Sequence, residues 1–194
     1  MRKYIDGNVD LSNLYLTQLP DFLSDVEVIG SFKCDDNNLT SLEGSPTSVT
    51  QAYSCSGNLI TNLIGAPREI GGNFFCQQNK LLESLNGGPI SVGDGLYCSF
   101  NEKLSSLAGA PSSIKFFTCN YNYQLKSFKG GPSTVTGHFF CIGNKKLTSL
   151  EGFPEYIGRD LNFKKNGRVF TEEEIRAVCK VRGRIYLEPP DKRR

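Results

Sequence analysis

Apolar residues recur along this chain in pairs split by one outward position, at intervals of about 21 to 23 residues. The pairs are Val9/Leu11, Phe32/Cys34, Tyr53/Cys55, Phe74/Cys76, Leu96/Cys98, Phe117/Cys119, Phe139/Cys141 and Leu161/Phe163. Alternation of this kind predicts a short strand with two side chains inward and one outward. Three residues after the second member comes asparagine, at 37, 58, 79, 101, 122, 144 and 166. Two further apolar columns follow. One runs Leu16, Leu39, Ile60, Leu82, Leu104, Leu125, Leu147, and the other Leu19, Leu42, Leu63, Leu85, Leu107, Phe128, Leu150. Gly-x-Pro closes six units, from Gly44/Pro46 to Gly152/Pro154.

A fixed period across so many columns means a solenoid, in which each unit buries its apolar side against its neighbours. Each unit supplies one strand, and successive strands stack as a parallel sheet. An asparagine at a fixed place after the strand can bond backbone groups that the turn leaves unpaired. Stacked units would align these asparagines as a ladder. Gly-x-Pro turns the chain back and prevents a helix on that side.

The unit, apolar-x-Cys-x-x-Asn followed by Leu-x-x-Leu-x-Gly-x-Pro, resembles the leucine-rich repeat. Cysteine takes one leucine place, and the asparagine sits where that family has it. The resemblance covers about residues 8 to 166 and is closest to the short repeats of bacterial and phage proteins. Several units carry one extra residue between asparagine and leucine. Gly-x-Pro replaces the longer convex helix of many family members.

Both ends read as caps. Gly7-Asn8-Val9-Asp10-Leu11 copies Gly30-Ser31-Phe32-Lys33-Cys34 and marks a first rung. Thr171 followed by Glu174 is a capping-box signature, with Ile175, Val178 and Cys179 on one helical face. That predicts a helix over about 171–181. Gly183-Arg184-Ile185-Tyr186-Leu187 repeats the strand motif once more, before Pro189-Pro190. The expected fold is one leucine-rich-repeat solenoid over residues 1–194. It has about nine short parallel strands in one sheet, a loop-rich convex side and one C-terminal capping helix. Residues 1–29 form the N-terminal cap and first rung, 30–166 the central repeats, and 167–194 the helix, last strand and basic tail.

Composition then narrows the chemistry. One histidine in 194 residues excludes mechanisms that need two, and nearly every catalytic zinc site. Seven cysteines cannot form a complete internal disulfide set. Six of them are better read as small core hydrophobes, one per rung. Cys179 has Arg176, Lys180 and Arg182 nearby, which favours the thiolate, but its helical face favours burial. The first residues lack an apolar signal region, and no apolar run reaches the ~18–20 residues of a membrane helix, so a cytoplasmic location with reduced thiols is expected. No glycine run matches a phosphate-binding loop. No enzymatic activity, cofactor or metal is expected.

The outward strand face carries the candidate site. Its first three rungs are polar, whereas later ones present Phe75, Tyr97, Phe116, His138, Phe140 and Ile142. Exposed aromatics on consecutive rungs are common binding anchors. The competing explanation is that alternation slips by one residue, most readily in the rung of Ile114, which is one residue short. The resemblance implies a non-enzymatic protein-binding scaffold, and its phage-like form implies a host protein that the chain binds and modulates.

Charge supports an alternative. Residues 159–194 hold eleven basic and six acidic side chains, while the remainder holds eleven and fourteen. Arg182, Arg184, Lys192, Arg193 and Arg194 could contact phosphates, with Tyr186 stacking on a base. Self-association through an apolar face or the N-terminal edge is a further reading.

Overall fold

A computed structural model describes residues 3–189. The chain coils into a parallel β-solenoid of about eight turns with a single α-helix among the described residues. One sheet has nine parallel strands: Val9–Asp10, Phe32–Lys33, Tyr53–Ser54, Phe74–Phe75, Gly95–Tyr97, Phe116–Thr118, Phe139–Phe140, Leu161–Asn162 and Ile185–Tyr186. These are rungs one to nine. The register is the expected one: Phe32 pairs with Tyr53, Tyr53 with Phe74, and Leu161 with Ile185.

The strands do not all lie in one sheet. A second parallel ladder precedes the first across a short corner, and the remainder of each unit, as in 34–47, is loop and turn. In this second ladder Lys3–Asp6, Val26–Ile29, Ser48–Val49, Glu69–Ile70 and Ser91–Val92 form one sheet. Ser113–Ile114, Thr134–Val135, Tyr156–Ile157 and Lys180–Val181 form another. These nine strands are built on a β-branched column (Ile5, Val28, Val49, Ile70, Val92, Ile114, Val135, Ile157, Val181); Ile5 is half-buried and the other eight are buried. Two-residue strands show too little alternation to be read in isolation, so only stacking reveals them.

The short rung explains the break between those two sheets. Three positions separate Ile114 from Phe117, where the neighbouring rungs have four. The amides of Lys115 and Phe116 therefore converge on one carbonyl, that of Asp94, at 3.0 and 3.2 Å. The missing residue is absorbed at this corner. Phe117 stays buried and Phe116 pairs with Gly95, so the strand face does not slip.

Each Gly-x-Pro segment begins with a tight turn. The amide of the residue after glycine donates to the preceding column residue, as in Ala110 to Leu107 at 3.0 Å. The third turn position then needs positive φ, and the six glycines supply it at 74° to 98°. A Cβ on Gly109 would also lie 2.0 Å from the Leu85 carbonyl oxygen.

The asparagines form the expected ladder. Asn101 Nδ2 donates to the carbonyls of Cys98 (2.9 Å) and Cys76 (3.1 Å), joining its own rung to the previous one. Its Oδ1 accepts from the Asn79 amide at 2.8 Å. Asn58 and Asn79 make the same two donations. The pattern loosens at rungs six and seven. Asn122 Nδ2 finds no partner among the described residues, and Asn144 Nδ2 turns to Cys141 Sγ at 3.1 Å.

Core composition is compensated locally. Tyr53 stands in a column otherwise filled by Phe, Leu, Val and Ile, and its hydroxyl lies 2.8 Å from Ser45 Oγ, which donates to the Leu42 carbonyl. Phe153 occupies a place held elsewhere by Ser, Ala or Gly, and packs against Phe128, Phe139 and Phe163. The helix, α1, spans Glu172–Val178 rather than reaching 181. Its capping box is present: Thr171 Oγ1 accepts from the Glu174 amide and the Glu174 carboxylate accepts from the Thr171 amide. Ile175 is fully buried, but Val178 is 46% exposed. Cys179 follows the helix in extended conformation, because the chain must straighten to enter the strand Lys180–Val181.

Replacing Asn101 by Ala strands two buried carbonyls and one buried amide, at about 1 kcal/mol or more each. We expect a loss of at least about 3 kcal/mol in denaturant unfolding, against under about 1 kcal/mol for the exposed neighbour Glu102→Ala. Equal effects would show that the ladder is not a principal constraint.

Candidate functional site

The nine-stranded sheet presents three outward positions per rung. The central one lies between the two inward residues, and the others flank the strand. Flanking positions are rich in short polar side chains, and many accept a backbone amide from the next rung. Asn8 Oδ1 accepts from Ser31, Asn73 Oδ1 from Gly95, and Asp160 Oδ1 from Arg184, at 2.8 to 2.9 Å. On the other flank, Ser99 Oγ accepts from Asn120, and Asn120 Oδ1 from Ile142. The face is thus edged by side-chain acceptors that extend each two-residue strand.

His138 belongs to this device. Its Nδ1 accepts from the Asp160 amide at 3.3 Å, with the Asp160 carboxylate 3.7 Å away. Its ring lies between Phe116 and Phe140, nearly parallel to both, at centroid distances of 6.1 and 6.0 Å.

All six candidate partner-binding residues lie on one face, each half-buried. Phe75 and Tyr97 stack at 4.7 Å. The Tyr97 ring leans over Gly95, where a Cβ would sit 2.6 Å from it. Gly95 is also the strand neighbour of Phe116, so the Phe75–Tyr97 pair adjoins the Phe116–His138–Phe140 stack. Ile142 borders this patch on the Asn120 flank. The result is two adjoining aromatic clusters over rungs four to seven, with Thr118 between Tyr97 and Phe140 in the central column.

Rung three adds a feature that single-residue reading missed. Its outward residues are Ala52, Ser54 and Ser56, all small. They floor a recess of about 350 Å³ between Lys33, Asp35 and Asp36 on one side and Phe75, Gln77 and Gln78 on the other. The signal was a run of small residues between a charged rung and an aromatic one. Ser54 is buried rather than outward-exposed, as are Gly95 and Ser99, because larger neighbours close over them. Asp35 accepts from Ser54 Oγ and from the Ser56 amide, the latter at 2.7 Å. Burial nevertheless holds its carboxyl above the usual carboxylate range, since these hydrogen bonds only partly offset the lost hydration.

The residues of the basic alternative are separate from this patch. Arg182, Arg184 and Tyr186 are exposed around rung nine, where Lys164 Nζ lies 5.7 Å from the Tyr186 ring centre. Lys192, Arg193 and Arg194 lie outside the described residues.

The cysteines are all free and buried. Burial pushes the Cys34 thiol up to about 12 and raises Cys55, Cys76, Cys98 and Cys119 as well. Cys179 rises to about 11, because burial outweighs the pull of Arg176. Among the described residues, no group of three or more His, Cys, Asp or Glu side chains is placed to hold a metal ion. No described helix is long and apolar enough to cross a membrane. Comparison with known proteins returned no matching family model, curated protein or solved structure.

Two outcomes follow from these environments. The native thiols should resist alkylation at pH 8 and react in denaturant, so rapid native labelling of the Cys34–Cys141 column would contradict its burial. Asp35→Asn should raise stability at neutral pH and not at about pH 3. The sign follows because a carboxyl whose folded pKa is raised opposes folding above its unfolded pKa, and the penalty is complete once pH exceeds the folded value. Chemical denaturation at both pH values reads the difference.

Proposed function

We propose that this chain is a non-enzymatic protein-binding scaffold of the leucine-rich-repeat type, and that its partner seats on the nine-stranded face. The observation that carries the reading is the pair of adjoining half-exposed clusters, Phe75–Tyr97 and Phe116–His138–Phe140, beside the rung-three recess. Inward alternation already fills the core, so these rings are not needed there. Their stacking also holds them in place before binding, which reduces the entropy lost on association. The recess next to them can admit a protruding side chain, the usual setting of an energetic anchor.

Support for the leucine-rich-repeat assignment lies in the repeated asparagine, whose side chain joins the strand carbonyls of adjacent rungs. The departure is the second strand ladder, which lies across a short corner just before each main strand. A nucleic-acid reading has narrower support. It rests on exposed Arg182 and Arg184 near Tyr186, on the last rung and away from the aromatic patch.

Affinity capture with and without nuclease separates the two. A captured protein should survive nuclease treatment, and the double variant Phe75→Ala/Tyr97→Ala should weaken it by at least about 2 kcal/mol, roughly thirtyfold. Nuclease-sensitive capture, abolished by Arg182→Ala/Arg184→Ala and untouched by the aromatic pair, would replace this reading with the second.

A further inference from the structure

Among the described residues, both ends of the solenoid expose unfinished ladders. At the N-terminal end the edge strands are Lys3–Asp6 and Val9–Asp10, and at the C-terminal end they are Lys180–Val181 and Ile185–Tyr186. On the nine-stranded sheet, each rung's amides donate to carbonyls of the next, as in Val9 to Ser31 and Leu161 to Arg184. Among the described residues, rung one therefore leaves the Asn8 and Asp10 carbonyls without a donor rung below. Rung nine leaves the Ile185 and Leu187 amides without an acceptor rung above, among the described residues.

The apolar columns are also open at these ends. Val9, Leu11, Ile185 and Leu187 are half-buried, whereas the same two columns in rungs two to eight are at most 3% exposed. The two ends differ in charge as well. Residues 1–36 carry seven acidic and three basic side chains, against six and eleven in residues 159–194.

We propose that the partner for these edges is a second copy of this chain, stacked head to tail so that its rung one continues rung nine of the first. The repeat itself supplies the register. Val9 and Ile185 occupy one column, and Ile5 and Val181 another. A constant offset then superposes residues 4–11 on 180–187. Val9 meets Ile185, Ile5 meets Val181 and Leu11 meets Leu187, closing the open columns. Asp6 meets Arg182, an opposite-charge pair between exposed side chains. Tyr4, 64% exposed, meets Lys180, an ammonium within reach of an aromatic face. The Ile185 and Leu187 amides face the Asn8 and Asp10 carbonyls of the added rung.

A head-to-head arrangement has none of this complementarity. It would set the acidic end against itself and would run the paired strands antiparallel. A head-to-tail contact does not close on itself, so the product is an open linear series rather than a fixed dimer. This inference is independent of the aromatic face, which remains exposed along the side of such a stack.

Sedimentation velocity and light scattering of the full chain test it, over a concentration series up to hundreds of micromolar at low salt. The expected mass rises continuously with concentration and falls when salt is added. Asp6→Arg and Arg182→Asp should each weaken association at least about tenfold, because each sets like charges together. Asp6→Arg/Arg182→Asp in one chain should recover it, since each end again meets its opposite. Tyr4→Ala, at an exposed position, should weaken association without altering the melting temperature, and serves if either charge variant is poorly folded. A strictly monomeric chain throughout the series would overturn the proposal. So would a dimer plateau insensitive to Asp6→Arg, or a double reversal that fails to recover assembly.

Discussion

Rungs two to eight each make a sharp corner directly after the strand, and the asparagine that follows makes that corner tolerable. The residue before the asparagine adopts positive φ in rung after rung: Asp36, Gln78, Phe100, Tyr121 and Lys165 lie at 52° to 61°, with Gly57 and Gly143 completing the column. Non-glycine residues pay about 1–2 kcal/mol for this conformation. The corner also turns backbone carbonyls inward, away from water, where an unpaired group is costly. Asparagine offers two donors and an acceptor on one short side chain, enough to reach its own rung, the rung before and the next corner. Ladder, corner and core are therefore one constraint.

That constraint shapes the functional surface. Because the corners fix the rung spacing, outward side chains align in columns and contact their counterparts one rung away. Phe75 lies on Tyr97, and Phe116 on His138. The flanking acceptors follow the same geometry, so a residue such as His138 both holds the next strand and adds a ring to the patch. Small residues on one rung become a recess only because neighbouring rungs are locked beside them. The same regularity gives the first and last described rungs half-covered apolar columns, and their outer ladder positions find no partner among the described residues.

Much of this was legible in the chain. The alternation around Phe32 and Cys34, the asparagine column and Gly-x-Pro located the nine strands, their inward faces and the returning turns. Thr171 and Glu174 located the helix start, because capping chemistry is local. Its end was misplaced, since Cys179 is apolar in pattern but its extended course is imposed by the strand Lys180–Val181. Alternation places the aromatic residues on one face, whereas their mutual stacking and the rung-three recess are not visible in the sequence.

The sequence by itself determined the period, the number of rungs and the side of the strand on which each residue falls, because these follow from local spacing and from which side chains avoid water. Only the tertiary structure decided the second ladder, the left-handed corners and the place where the short rung loses its residue. A two-residue strand such as Ser48–Val49 has no pattern of its own and exists by pairing with Val28 and Ile70 on adjacent turns. Phe100 or Tyr121 carries no local preference for positive φ and accepts it because the asparagine beside it is bonded to another rung. Contacts made across some twenty residues of chain come into being when the rungs stack, and the features that depend on them are properties of the stack.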